Sequence, residues 1–207
     1  MNALELLALL KKQDLAHFRI QDIAQLANSS VNNISPHLKR LENLGHIIRL
    51  KRGLWAFPQR IQRYALPAIL TAPIPSYVSL YSALFFHGMI EQIPDVIYAV
   101  TAGRTSRVTS LLGTVSFHHV CLPLVTGYTF DLDTEVAMAS PEKALVDTLY
   151  LQSSKSPLFH RLPELEIPSE FDQKQAEEFI ELIPHRAKRE STKMRLKLIM
   201  EKDIHTS

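Results

Sequence analysis

The fold of this chain is decided by residues 20–58, which read IQDIAQLANSS VNNISPHLKRLENLG HIIRLKRGLWAFP. Apolar residues at helical spacing predict two helices in succession. Asn28-Ser29-Ser30 separates them, because short polar side chains favour caps and turns. Gly45 predicts the end of the second helix. The two apolar stripes are Ile20, Ile23, Ala24 and Ala27, then Ile34, Leu38, Leu41 and Leu44.

Two short extended runs follow the second helix. Residues 46–50 and 54–57 are joined by Lys51-Arg52-Gly53, which predicts a β-ribbon with a tight turn. Residues 2–13 predict a preceding helix that buries Leu4, Leu7, Ala8 and Leu10. Three helices and a ribbon in this order predict a winged helix-turn-helix.

The polar face of the second helix and the ribbon suggest contact with DNA. Asn and Ser near a helix start reach base edges or phosphates, and Lys and Arg meet the backbone. The candidate DNA-binding residues are Ser30, Asn32, Asn33, Ser35, His37, Lys39, Arg40, Arg49, Lys51 and Arg52. Pro36 interrupts this helix unless it lies in the first turn, so we predict a start at Asn33 with Asn32 as the cap.

The charge distribution supports this hypothesis. Residues 1–64 hold 10 Lys and Arg against 4 Asp and Glu, a net charge of +6. Residues 65–207 carry a net charge of −4. A basic head on an acidic body is expected where the head binds a polyanion. Helix-turn-helix units also bind proteins, so a protein-interaction module without DNA stays open as an alternative.

The whole composition predicts a folded cytoplasmic protein. The chain has 207 residues, of which 46% are hydrophobic and 21% are charged. The single cysteine, Cys121, excludes an internal disulfide and a Cys-rich zinc site. The first residues have no basic region of the kind that opens a signal peptide, and no apolar run is long enough for a membrane span.

We expect an α+β protein with two domains, residues 1–64 and residues 65–207. A connector with a short helix covers residues 59–75, and Ser76 is predicted to cap a helix that runs from Val78 to Phe86. A buried strand over 96–101 and a polar loop over 103–107 follow. Further strands are predicted over 115–122, 127–132 and 135–139, and a helix is predicted from Ser140 onward. A helix over 172–183 is expected to turn Phe179, Leu182 and Ile183 inward. The last helix is predicted over 186–202, and its apolar residues are Met194, Leu196, Leu198, Ile199 and Met200.

An enzyme is not predicted from the candidate chemical groups. His118 and His119 are adjacent, so they point to opposite faces of a strand and do not share a metal. Cys121 lies in an apolar run and is expected to be packed. Residues 131–135 predict a hairpin turn and lack the length of a calcium loop. His87 is expected at a helix C-terminus and Glu142 at a helix cap, whereas Asp147 does not share a face with Glu142. We expect no cofactor and no metal.

Two blocks of the second part, together with the basic head, resemble the AbiEi family, the antitoxins and transcriptional regulators of type IV toxin–antitoxin systems. The residues that carry the resemblance are 76–84 (SYVSLYSAL), 87–90 (HGMI), 92–94 (QIP), 96–101 (VIYAVT) and 139–147 (ASPEKALVD). With the head, the resemblance covers roughly residues 1–150.

The resemblance implies two activities. The head would bind an inverted repeat in the promoter of its own operon as a dimer and repress it. The second domain would counteract a nucleotidyltransferase-like toxin encoded beside it, with or without a stable complex. A stand-alone regulator that has lost its toxin partner remains the alternative.

Overall fold

A computed structural model of the chain describes residues 2–152, 159 and 162–204, with side chains as far as Glu201. These residues form a mixed α+β fold with eight α-helices and nine strands in two sheets. Within these ranges, no helix combines the length and the apolar character that crossing a bilayer requires. We call residues 2–64 the head and residues 65–204 the body.

The head contains three helices and one small sheet. Its three strands are antiparallel in the order β1-β3-β2, and β2 and β3 form the ribbon. The elements are α1 (Ala3–Lys12), β1 (His17–Arg19), α2 (Ile20–Leu26), α3 (Val31–Asn43), β2 (Ile48–Lys51) and β3 (Leu54–Ala56).

The buried face of α1 differs from the prediction. Ala3, Leu6, Leu7 and Leu10 are buried, whereas Leu4 is 69% exposed and Ala8 is also exposed. Leucines occur on most sides of this helix, so apolar content alone does not determine which side packs. The buried side is the one that joins the head core with Ile34, Leu38 and Leu41 of α3.

The start of α3 also differs from the prediction. The helix begins at Val31 and Ser30 is its cap, with the Ser30 hydroxyl accepting from the Asn33 amide at 3.2 Å. The predicted start at Asn33 is therefore wrong, and Pro36 lies inside the helix, where it cannot donate to the carbonyl of Asn32. Leu44, predicted in the core, is the C-cap residue and is 58% exposed.

A connector with α4 (Leu66–Thr71) leads into the body, as predicted. The body sheet has six strands in the order β6-β7-β5-β4-β9-β8. β5 and β7 are parallel, as are β4 and β9, and the other neighbours are antiparallel. The strands are β4 (Ser76–Val78), β5 (Ile97–Thr101), β6 (Ser106–Ser110), β7 (Gly113–His119), β8 (Tyr128–Asp131) and β9 (Val136–Ala139); the helices are α5 (Leu80–Phe86), α6 (Pro141–Gln152), α7 (Gln173–Glu181) and α8 (Arg186–Ile204).

Two local predictions in the body are wrong because sheet pairing prevails over local signals. Ser76 does not cap a helix: it begins the buried strand β4, which pairs with β5 and β9, and α5 starts only at Leu80. The predicted polar loop over 103–107 is partly strand β6, which pairs with β7 from Ser106 onward. The strand predicted over 115–122 ends at His119.

The C-terminal helices occur close to the predicted ranges, but several side chains point outward. Asp172 caps α7 by accepting from the Gln175 amide at 3.1 Å. Leu182, predicted to point inward, is exposed, and so are Met194 and Leu198 of α8. α8 instead joins the body core through Leu196, with Ile199 and Met200 packed partly against it.

The hydrophobic core divides at the ribbon. Trp55 and Phe57 pack with the head helices. Ile48, Leu50, Leu54 and Ala56 belong to the body core. The ribbon is therefore shared between head and body, and the body core begins well before the composition change near residue 65.

Candidate nucleic-acid interface

The outer face of α3 presents most of the predicted DNA-binding residues to solvent. Asn32, Asn33, Ser35, Lys39 and Arg40 are exposed, and His37 is half-buried. Ile34, Leu38 and Leu41 on the opposite face are fully buried, which fixes the rotation of the helix. A concavity beside the first turns is lined by Ser29, Asn32, Asn33, Ile34, Pro36 and His37.

Two residues of this set have contacts within the helix. The Ser30 hydroxyl caps α3, so its oxygen already accepts one hydrogen bond. The Lys39 ammonium lies 3.2 Å from a Glu42 carboxylate oxygen, a pair exposed to solvent. Exposed pairs of this kind contribute at most about 1 kcal/mol, so Lys39 is readily released to another anion.

The ribbon adds two exposed cations. The Arg49 guanidinium lies 5.8 Å from the ring centroid of Trp55, which orients it along the outer surface of the ribbon. Arg52 is exposed in the turn. The turn is closed by Gly53, whose φ of +78° is a conformation that glycine adopts without strain.

Lys51 points in a different direction from Arg52. Its ammonium donates to the carbonyl of Leu70 at the end of α4. Burial, together with the nearby Arg19 charge, lowers the pKa of Lys51 from its ordinary value. The Arg19 guanidinium donates to the Ala72 carbonyl at 2.8 Å. Lys51 and Arg19 therefore connect the head to the body.

The candidate chemical groups of the body do not form a common site. His118 is buried and His119 is exposed, which confirms that adjacent strand residues face opposite ways. Burial lowers the pKa of His118 to about 4, and its Nε2 lies 3.0 Å from the Ser116 hydroxyl. Cys121 is half-buried beside the body core.

The remaining candidates have local structural roles. Asp131 accepts from the amides of Asp133 and Thr134, which confirms the hairpin turn between β8 and β9. His87 is the C-cap of α5, and its Nε2 lies 2.7 Å from the Ala139 carbonyl. Among the described residues, no three His, Cys, Asp or Glu side chains are grouped to hold a metal ion.

The sequence analysis missed a buried polar network in the body. The Lys143 ammonium pairs with Asp147, and both side chains are at most 1% exposed. Tyr77 and Ser79 donate to the second oxygen of Asp147 at 3.0 Å and 2.8 Å. Lys143 and Asp147 are four residues apart on α6, a spacing that places them on one face and was the available signal.

Aromatic rings enclose this network. Tyr77 stacks on Tyr128 with ring centroids 4.6 Å apart, and Lys143 lies over the Tyr77 ring. Burial first, and then the Asp147 charge, raise the pKa of Tyr77 well above its ordinary value. A side chain at Gly127 would come within 2.9 Å of Lys143 and closer still to Phe179, so only glycine fits. The network is structural, because it is sealed from solvent.

Together, α3 and the ribbon present an exposed polar and basic surface on the head. No family model and no curated protein matches this chain. The geometry of the head and the resemblance of the sequence blocks are therefore what bear on its function.

Proposed function

We propose that the chain is a DNA-binding autorepressor and the antitoxin of a type IV toxin–antitoxin system, with residues 1–64 acting as a winged helix-turn-helix. In this proposal α3 is the recognition helix and the β2–β3 ribbon is the wing. The protein then acts in the cytoplasm, where its promoter and its toxin are.

One observation supports the DNA-binding part of this proposal. The face of α3 that is turned away from the core holds two amides, a hydroxyl and two cations, all exposed, and the ribbon adds Arg49 and Arg52. Amides and guanidinium groups are the side chains that pair with base edges, and cations meet phosphates. The net charge of +6 over residues 1–64 attracts the same ligand at longer range.

Attachment of the head to the body supports a fixed orientation on DNA. Lys51 and Arg19 donate to carbonyls at the end of α4, and His17 lies 3.3 Å from Glu135 in the β8–β9 turn. Four apolar ribbon residues lie in the body core. A head held in this way carries the body along when it binds, so the body lies beside the DNA in a defined position.

One recognition helix reads only a few base pairs, so useful specificity needs two heads. We therefore propose that two copies occupy an inverted repeat in the promoter of the chain's own operon. Two-fold symmetry of the protein pair then matches the symmetry of the DNA site.

The proposed antitoxin activity is supported by the sequence blocks at 76–101 and 139–147, which carry the resemblance to the AbiEi family. These blocks supply β4, α5, β5 and the start of α6, and their polar residues Ser79, Lys143 and Asp147 lie in the buried network. In this proposal the blocks maintain the body fold, and the surface that opposes a nucleotidyltransferase-like toxin lies on the exposed parts around them.

Titration of the full chain into labelled DNA from upstream of its own gene, at two salt concentrations, tests DNA binding. The affinity should fall steeply with salt. Arg40→Ala should weaken binding by about 1–3 kcal/mol if it contacts a base, and Arg52→Ala should lower the salt slope by about 1 if it contacts a phosphate. Lys197→Ala, which removes an exposed cation from α8, should change neither quantity.

Two results would contradict this proposal. Absence of binding at low salt would favour the alternative of a protein-interaction module. Equal losses for Arg40→Ala and Lys197→Ala would show that charge alone is responsible and that α3 does not read the site.

Co-expression tests the antitoxin half. A nucleotidyltransferase-like reading frame beside the gene should arrest growth when expressed alone, and this chain should restore growth. Rescue by the Arg40→Ala variant is expected too, because neutralisation belongs to the body. A neighbouring protein that is harmless alone would leave a stand-alone regulator as the function.

A further inference from the structure

We propose that the outer edge of β8 is a self-complementary surface on which a second copy of this chain pairs, antiparallel and about a two-fold axis at Phe130. This inference concerns the free chain and does not depend on the proposed DNA binding. It follows from the hydrogen-bond register of β8, from the residues that alternate along it, and from an exposed leucine just beyond it.

The register shows which backbone groups of β8 point away from the sheet. β8 is the last strand of the body sheet, with β9 on its inner side. The Ser140 amide donates to the Gly127 carbonyl, so in this antiparallel pair residues 127, 129 and 131 direct their backbone groups toward β9. Tyr128 and Phe130 therefore direct their N–H and C=O groups outward, as edge residues that are able to accept another strand.

A two-fold axis perpendicular to the sheet joins the two copies into one continuous sheet without exchanging its two faces. A side chain on one face of the first copy must therefore lie opposite a side chain on the same face of the second copy. Pairing Phe130 with Phe130 of the second copy meets this requirement and also matches the outward backbone groups. Each Phe130 amide then donates to the other Phe130 carbonyl. The same register brings Thr129 opposite Asp131 of the second copy, and it places Tyr128 beside Leu132, the first residue of the turn after β8.

The side chains agree with this register on both faces. On one face all the opposed residues are apolar or aromatic, and Phe130 is 48% exposed in the single chain. On the other face a Thr129 hydroxyl meets an Asp131 carboxylate, an acceptor for its proton. Within the single chain the Asp131 carboxylate accepts from the two turn amides through Oδ1.

Leu132 supplies the apolar contact that favours a second copy over an unrelated strand. It is the most exposed of the large hydrophobic side chains described, at 84%, and lies in the turn directly after β8. In the paired arrangement it comes over Tyr128 of the other copy. There an apolar shelf is lined by Ala72, Pro73, Ile74, Tyr128, Phe130 and Ala137.

Sedimentation equilibrium of the full chain over a range of concentrations tests the proposal. The wild type should form a dimer. Phe130→Pro removes the exposed ring and an outward N–H but no hydrogen bond to β9, and it should weaken the dimer at least about tenfold. Leu132→Lys should weaken it too. The matched control is Leu111→Lys, which changes an 81% exposed leucine in the β6–β7 turn at the other edge and should leave the dimer unchanged.

Cysteine cross-linking locates the axis in variants that keep their fold. Hydrogen-bonded antiparallel pairs have Cα atoms about 5.5 Å apart, within the range of a disulfide. In a Cys121→Ser background, Phe130→Cys should give a covalent dimer under mild oxidation and Leu111→Cys should not. A monomeric wild type at every concentration overturns the proposal, as does a dimer that neither Phe130→Pro nor Leu132→Lys weakens, or equal cross-linking by both cysteine variants.

Discussion

Lys143 shows how a single residue changes its role when the body folds. A lysine near a helix start is usually solvated, but here it is fully buried with Asp147. The pair is tolerated because Tyr77 and Ser79 donate to the carboxylate as well, so the buried charges are hydrogen-bonded. Removing one partner of such a pair typically costs about 3–5 kcal/mol of folding free energy.

His118 gives a pH-dependence prediction. Because burial lowers its pKa from 6.5 to about 4, the folded chain binds fewer protons than the unfolded chain between these pH values. The contribution of His118 to stability is therefore complete above about pH 6.5 and is lost as the pH falls toward 4, by an amount of the order of 3 kcal/mol. Urea unfolding at pH 7, 5.5 and 4.5 measures this loss.

The neighbouring histidine is the control for that measurement. His118→Gln should flatten the dependence of unfolding free energy on pH, because glutamine does not titrate. His119→Gln, at the exposed adjacent position, should leave the wild-type slope unchanged. Identical slopes for the wild type and His118→Gln would contradict the buried, neutral state of His118.

At the scale of elements, α3 illustrates how a cap competes with proline. The early start at Val31 is favoured because the Ser30 hydroxyl accepts from the Asn33 amide, although Pro36 then lies beyond the first turn. The apolar stripe of α3 is the same for either start, so periodicity does not distinguish them.

A pair of serine variants tests the cap. Ser30→Ala should lower the free energy of unfolding by about 1 kcal/mol, because the Asn33 amide loses its acceptor. Ser35→Ala, at an exposed position inside the same helix, should have no destabilising effect, since alanine has the higher helix propensity. Chemical denaturation measures both, and equal losses would place the start of α3 later than Val31.

At the scale of the whole molecule, head and body are joined by the ribbon. Its two sets of apolar residues enter different cores, so neither part is complete without it. An isolated head would expose Ile48, Leu50 and Leu54 to water. For this reason the DNA-binding test uses the full chain.

Calorimetry tests whether the shared ribbon makes unfolding cooperative. Head and body should unfold in one transition, with equal calorimetric and van't Hoff enthalpies. Leu54→Ala, at a 3% exposed position in the body core, should lower stability by about 2–5 kcal/mol and preserve the single transition. Two separated transitions in the wild type would mean that the ribbon does not couple the parts.

The amino-acid sequence by itself determined the features that depend on near neighbours. The stripes of α2 and α3, the turn at Gly53, the β8–β9 hairpin and the start of α6 at Ser140-Pro141 follow from spacing, caps and turn residues. The basic composition of the first part follows in the same way. The sequence also indicated which polar residues lie on the outer face of α3, and the structure shows that most of them are exposed.

Only the tertiary structure decided the features that depend on distant partners. Ser76 joins a strand because β5 and β9 lie on either side of it, and Lys51 docks because the end of α4 offers it a carbonyl. The partner of Lys143 was four residues away, yet its burial required Tyr77 and Ser79 from another element. The local sequence pattern indicates which secondary structure and which degree of burial a residue favours. The tertiary fold decides which distant backbone and side-chain groups lie close enough to pair with it.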